Sequence, residues 1–297
     1  MKKLVALLLC ISAIVFVSCD SGMFDKNTGT DSSSSGDGAQ SGSVSKIRFD
    51  RPDALHGVSP SEDSYVRLTL EMVSTEEGGP TYDYSDIINL NALSSVEIPD
   101  IADGTYDIYA WVDNFSPDKD KTPFYNIEGL SKISISTENY ATADLESKAA
   151  YYVNEKNVVV SGNKELDIEL KFPHGGYSVM LKNPYTKLGK GGSGFKAIVT
   201  YSQFVPSAFS IRTEKTIDSV TNIGFTMSLP EITEQMEQVC IAKDLVLCTI
   251  KKSDGTPATN YVYAVIRIVD GSGETVYESA MLMLTVEPGK VNEQIME

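Results

Sequence analysis

Apolar side chains in this chain recur at every second position, again and again, and almost nowhere at helical spacing. In YVRLTLEMV (65–73), Val66, Leu68, Leu70 and Met72 alternate with Arg67, Thr69 and Glu71. Successive strand side chains point to opposite faces, so this segment is a ribbon with one face buried and one wet. After a turn at Asp103-Gly104 the pattern returns. Tyr106, Ile108, Ala110 and Val112 fall on one face, and Asp107, Tyr109 and Trp111 on the other. SKISIS (131–136) and ATADLES (141–147) read as shorter strands. From Ala149 the signal restarts. Leu166, Ile168 and Leu170 alternate with Asp167, Glu169 and Lys171 beyond a Ser161-Gly162-Asn163 turn. The last part is strand–turn–strand–turn–strand, with turns at Asp254-Gly255 and at Asp270-Gly271-Ser272-Gly273.

Strand signals recur about every 8 to 15 residues, with turns between them and no long helical period. The only helix candidates are short, Ser85 to Leu93 and Glu231 to Glu237. The expected class is therefore all-β, built as two tandem antiparallel β-sandwiches. A chain of 297 residues has room for about two domains, and 41% hydrophobic residues supply their cores. The expected bounds are 46–147 for the N-terminal sandwich and 148–297 for the C-terminal one.

The first 45 residues follow other rules. MKK is a short cationic start, followed by an apolar run from Leu4 to Val17. That run is shorter than the roughly 20 residues that span a bilayer, so it reads as a secretory leader, residues 1–18. Phe16-Val17-Ser18-Cys19 then resembles the lipobox of bacterial lipoproteins, which implies that Cys19 carries acyl chains on its sulfur and its amine. Two chains already hold a protein stably on a bilayer. The expected partner of the N-terminus is thus a membrane, through lipid at Cys19. Residues 20–45 are Ser, Gly, Asp and Thr with few apolar side chains, and read as a flexible tether. The net charge of −16 repels nucleic acid, and no basic cluster offsets it.

Four segments in order resemble fimbrillin-like lipoproteins of Bacteroidales: IPDIADGTYDIYAWVDN, YYVNEKNVVVSGNKELDIELKFP, VTYSQFVPSAFSIRT and YVYAVIRIVDGSGETVYE. The resemblance covers most of residues 46–297. It implies a pair of transthyretin-like β-sandwiches on the outer membrane, in a group that includes fimbrial subunits and their anchors, with fimbrial subunits as partners. This chain has Phe172-Pro173-His174-Gly175 where the family has an Arg-Pro-Phe-Ala type run, and it ends in EPGKVNEQIME. A non-enzymatic anchor or accessory adhesion subunit, acting at strand edges, is one expectation. A surface lipoprotein that captures glycans for uptake is the other.

Candidate sites are sparse. Asp107, Tyr109 and Trp111 share a strand face, and rings beside a carboxylate suit a sugar platform; core packing of Trp111 is the competing reading. Cys240 and Cys248 flank IAKDLVL. A turn at Lys243-Asp244 would bring the sulfurs together as a disulfide, and two buried free thiols are the alternative. Asp113, Asn114, Asp118 and Asp120 gather oxygen ligands in one loop, but their spacing is not that of a calcium loop and a solvated turn explains them. No metal or cofactor is expected. His56 and His174 are the only histidines. Neither belongs to a catalytic motif, and His174, before two glycines, reads as a bend. The glycine-rich 189–194 segment lacks the Lys-Ser/Thr that follows in a phosphate-binding loop.

Overall fold

The computed structural model describes residues 43–52, 64–115, 122–142, 144–162 and 165–297. The expected leader, Cys19 and residues 20–42 of the expected tether lie outside these residues, as do Asp118 and Asp120 of the acidic loop, while the last three tether residues, 43–45, are already in strand. No helix among the described residues is long and apolar enough to cross a membrane.

In the first part of the chain come β1 (Ser43–Asp50), β2 (Tyr65–Ser74), β3 (Thr81–Asn89), β4 (Val96–Ile101), β5 (Gly104–Phe115), β6 (Tyr125–Gly129) and β7 (Lys132–Ile135). A one-turn helix α1 (Leu145–Lys148) follows, then β8 (Ala150–Val160) and β9 (Glu165–Glu169). The second part has β10 (His174–Lys182), α2 (Pro184–Leu188), β11 (Lys196–Tyr201), β12 (Val205–Ser210), β13 (Lys215–Val220) and β14 (Gly224–Ser228). It ends with β15 (Gln238–Leu247), β16 (Asn260–Val269), β17 (Thr275–Glu278), β18 (Leu282–Val286) and β19 (Val291–Met296).

The protein is all-β, and its two sandwiches repeat one topology. The first pairs a sheet of order β4-β1-β9 with a sheet of order β3-β2-β5-β8. The second pairs β15-β10-β19 with β14-β11-β16, the last strand bonding both β17 and β18. Strand for strand the pairings correspond. β1 and β10 are central, antiparallel to β4 and β15 and parallel to β9 and β19. Each sandwich thus holds one parallel pair, which alternation in sequence does not reveal.

Each sandwich also carries an inserted hairpin. β6–β7 leaves the first between β5 and β8, and β12–β13 leaves the second between β11 and β14. The hairpins join through β7 and β12, with Ile133 opposite Phe209 and Ser134 opposite Ala208, into a sheet of order β13-β12-β7-β6. This bridging sheet belongs to neither sandwich.

The expected boundary at 147/148 is therefore corrected. β8 and β9 complete the first sandwich, while β6 and β7 pack with the second core. Alternation is the same in every strand and carries no label of which core a strand joins. The helix candidates also fail. Residues 85–89 lie in β3, a 3-10 turn occupies Leu90–Ser94, and 231–237 is not helical. Conversely 145–147, read as strand, are helical, because Asp144 caps the turn by accepting from the Ser147 N–H at 2.7 Å. His174 opens β10 rather than a bend. Gly175 is required there because a Cβ would stand 2.3 Å from the Glu287 carbonyl oxygen.

The disulfide reading is corrected too. Cys240 and Cys248 are free, and Lys243 and Asp244 sit mid-strand opposite Ser178 and Tyr177. At about 3.3 Å per residue, one extended strand keeps the sulfurs roughly 20 Å or more apart. Burial pushes the Cys248 thiol up to about 12, so its nucleophilic thiolate is suppressed. Alkylation of the native protein is expected to spare Cys248 until denaturant is added. A Cys240–Cys248 bond in a non-reducing peptide map would overturn the assignment.

Candidate functional site

β5 is buried on both sides. Ile108, Ala110 and Val112 point into the first core, while Tyr109 and Trp111 point into the second. Both faces are covered because the bridging sheet lies over the outer one. Trp111, 0% exposed, packs edge-on against Tyr125 of β6 (centroids 5.1 Å apart) and near Phe209 of β12 (6.4 Å). The proposed sugar platform is thereby corrected. Tyr109 is 5% exposed, with the Lys156 ammonium 4.2 Å and the Arg212 guanidinium 4.4 Å from its ring centre. Asp107 accepts from Lys156 at 2.9 Å and from the Asn157 N–H at 3.2 Å. The two rings are packed, not presented, and the partly exposed Asp107 is tied to Lys156.

Beneath the bridging sheet lies a polar network that the sequence reading missed. Arg67 of β2 grips Asp113 of β5 with two bonds, 3.0 and 2.7 Å, and donates a third to the Tyr125 carbonyl at 2.8 Å. Asp113, read above as part of a solvated turn, is instead buried and bound by a guanidinium. Burial pushes its carboxyl up to about 6 against the downward pull of Arg67. Among the described residues no group of three or more His, Cys, Asp or Glu is placed to hold a metal ion.

Further in, the Lys148 ammonium meets Asp244 of β15 at 2.7 Å. The other Asp244 oxygen accepts from Tyr140 (2.7 Å) and Tyr201 (2.6 Å), and Tyr201 bonds Tyr177 at 2.7 Å. Burial raises all three phenols well above their ordinary range, so they remain protonated donors. A charged residue inside the apolar run IAKDLVL was the available signal for Asp244.

His174 completes the network. The Tyr125 hydroxyl lies 2.6 Å from both the Lys148 carbonyl oxygen and His174 Nε2. The carbonyl can only accept, so the phenol donates to it and Nε2–H donates to the phenol. Nδ1 is buried without a hydrogen-bond partner, which suits a neutral ring with Nδ1 bare, since a proton there would be left unbonded. Burial, aided by the Lys148 charge, lowers its pKa from 6.5 to about 3. The unfolded chain takes up a proton in that window and the folded chain does not. Stability is therefore full above about pH 6.5 and falls as pH drops toward 3, by on the order of 1.4 kcal/mol per unit. His174→Gln is expected to lack this share of the slope in urea titrations at stepped pH. An unchanged slope would place the titration elsewhere.

One strand edge differs from its counterpart. β9 and β19 occupy equivalent edges of their sandwiches. On β9 the outward side chains are Glu165, Asp167 and Glu169, a charged fringe that discourages pairing. On β19 they are Val291 (39% exposed), Glu293 and Ile295 (47%). No strand among the described residues bonds the outer side of β19. It holds no proline, so its free backbone groups can accept another strand.

A model for a family of unknown function, DUF6562, matches residues 54–290. This chain belongs to DUF6562. No curated protein matches the DUF6562 chain. Similar solved structures include a protein described as an adhesin from Bacteroides ovatus ATCC 8483, 12% identical, with a TM-score of 0.47 over 86% of this chain and 89% of that one. Another, described as a cell adhesion protein from the same strain, is 10% identical, with a TM-score of 0.47 over 87% and 94%. The fimbrial anchor protein Mfa2 from Porphyromonas gingivalis is 11% identical, with a TM-score of 0.39 over 80% and 82%.

Proposed function

We propose that this DUF6562 protein is a non-enzymatic lipoprotein of the outer membrane, held by lipid at Cys19, that anchors or accompanies a fimbria. It acts by strand addition, and the observation that carries this reading is the open edge of β19. Its twin β9 is fenced by three carboxylates, whereas β19 offers Val291 and Ile295 on the exposed face. Backbone pairing supplies affinity in such a contact, and alternate side chains supply register and selectivity. The sequence resemblance to fimbrillin-like lipoproteins points the same way. The glycan-capture alternative rested on Asp107, Tyr109 and Trp111; burial of both rings, with Asp107 engaged by Lys156, speaks against it.

The test is a Val291→Lys/Ile295→Lys variant. Exposed substitutions of this kind change stability by about 0.5 kcal/mol or less, so the fold is expected to persist. Co-purification of a filament with the wild-type protein, lost in the variant, is the expected result. Equal recovery of filament from both would defeat strand addition at β19. A Cys19→Ala variant that still sediments with envelopes would defeat the lipid anchor separately.

A further inference from the structure

The Lys148–Asp244 contact is unlike the other buried ion pair. Arg67 spends its donors well, on two Asp113 oxygens and the Tyr125 carbonyl. An ammonium has three N–H donors, yet among the described residues Lys148 Nζ finds one oxygen, Asp244 Oδ1. Its remaining surroundings are rings: Tyr140 at 3.9 Å, Phe225 at 5.1 Å and Phe124 at 5.8 Å. The two side chains are 2% and 1% exposed. A charge so enclosed and so poorly bonded is costly.

We propose that Lys148 and Asp244 condense to an intramolecular amide, a covalent cross-link between the two sandwiches. Proton transfer from the ammonium to the carboxylate gives a neutral amine beside a neutral acid. The amine lone pair attacks Cγ, and the C–Oδ1 bond breaks. The nitrogen gives up two hydrogens in all, Cγ gives up one oxygen, and they leave together as water. No oxidant, cofactor or outside proton is needed.

The surrounding groups suit each step. Tyr140 and Tyr201 both donate to Oδ2, where negative charge develops in the tetrahedral intermediate, and they do so in a site that excludes water. The Leu245 N–H donates to Oδ1 at 2.9 Å, the oxygen that departs. In the product, Oδ2 is the amide carbonyl and keeps both tyrosine bonds. The nitrogen then carries a single N–H, which removes the surplus of unmet donors. Dryness also opposes the reverse hydrolysis.

The bond would tie α1, at the entrance to β8 of the first sandwich, to β15 of the second. Neither element belongs to the bridging sheet, so the cross-link is a second, independent tie between the halves. It does not depend on the proposed fimbrial role.

The test is a peptide map of the full wild-type chain, purified folded and then denatured and reduced. Folding is verified beforehand by the emission of buried Trp111. The expected result is that trypsin fails to cut after Lys148. A branched peptide joins the Lys148 and Asp244 segments, lighter by one water than the two linear peptides combined. Asp244→Asn is expected to give the same branched peptide by losing ammonia, and Lys148→Arg is expected to give none. Linear peptides from folded wild type, with cleavage after Lys148 and Asp244 intact, would overturn the proposal even if neither variant folds.

Discussion

Replacing Arg67 by alanine is expected to cost about 3–5 kcal/mol of folding stability, because it strands a carboxylate rather than removing a surface charge. Asp113 is wholly buried, and Arg67 supplies both of its charge-assisted bonds. The sign of the pH dependence identifies the stranded group. Without the guanidinium the folded carboxyl rises beyond its value of about 6, while in the unfolded chain it titrates near 3.8. The folded state then keeps its proton longer, and stability falls as pH climbs from 3.8 through the folded value. Urea unfolding should thus show a larger loss at about pH 8 than at about pH 5. Equal losses would mean that Asp113 is not the group left unpaired. The double variant Arg67→Met/Asp113→Leu should recover most of the stability, since apolar replacement of both partners leaves no buried charge.

Trp111→Ala should be comparably damaging, about 3–5 kcal/mol, as for other large aromatic side chains truncated in cores. Trp111 joins the sheet of the first sandwich to the bridging sheet through Tyr125 and Phe209. Trp111→Phe, which keeps a ring in the gap, should lose less. Circular dichroism during urea titration measures both. A loss under about 1 kcal/mol for the alanine variant would return Trp111 to the surface and revive a sugar platform. A large loss also means that any failure of Trp111→Ala to bind polysaccharide reports unfolding.

The strands themselves were legible. Val66, Leu68, Leu70 and Met72 of β2 are buried as alternation requires, and the turns at Gly255 and Gly273 have the positive φ that glycine permits. The faces of β5 were also assigned correctly, and of the two readings open for Trp111 the structure selects core packing. A period of two separates one face from the other and says nothing about whether the second meets water or a further sheet. Two aromatic side chains on that second face, Tyr109 and Trp111, were the hint. The buried network was harder to see. Lys148, Tyr140, Tyr201 and Asp244 come from distant segments, and each looks ordinary alone. Only Asp244, a charge within an apolar run, stood out.

By itself the sequence determined the strongly alternating strands and their turns, because alternation and turn chemistry act between near neighbours. The leader and tether expected for residues 1–45 rest on composition alone. The tertiary structure decided which core each strand joins, that two inserted hairpins share a sheet, and that Lys148 meets Asp244. Those outcomes depend on contacts between residues far apart in the chain, where the partner is chosen by shape and by the exclusion of water, and no local pattern encodes that choice.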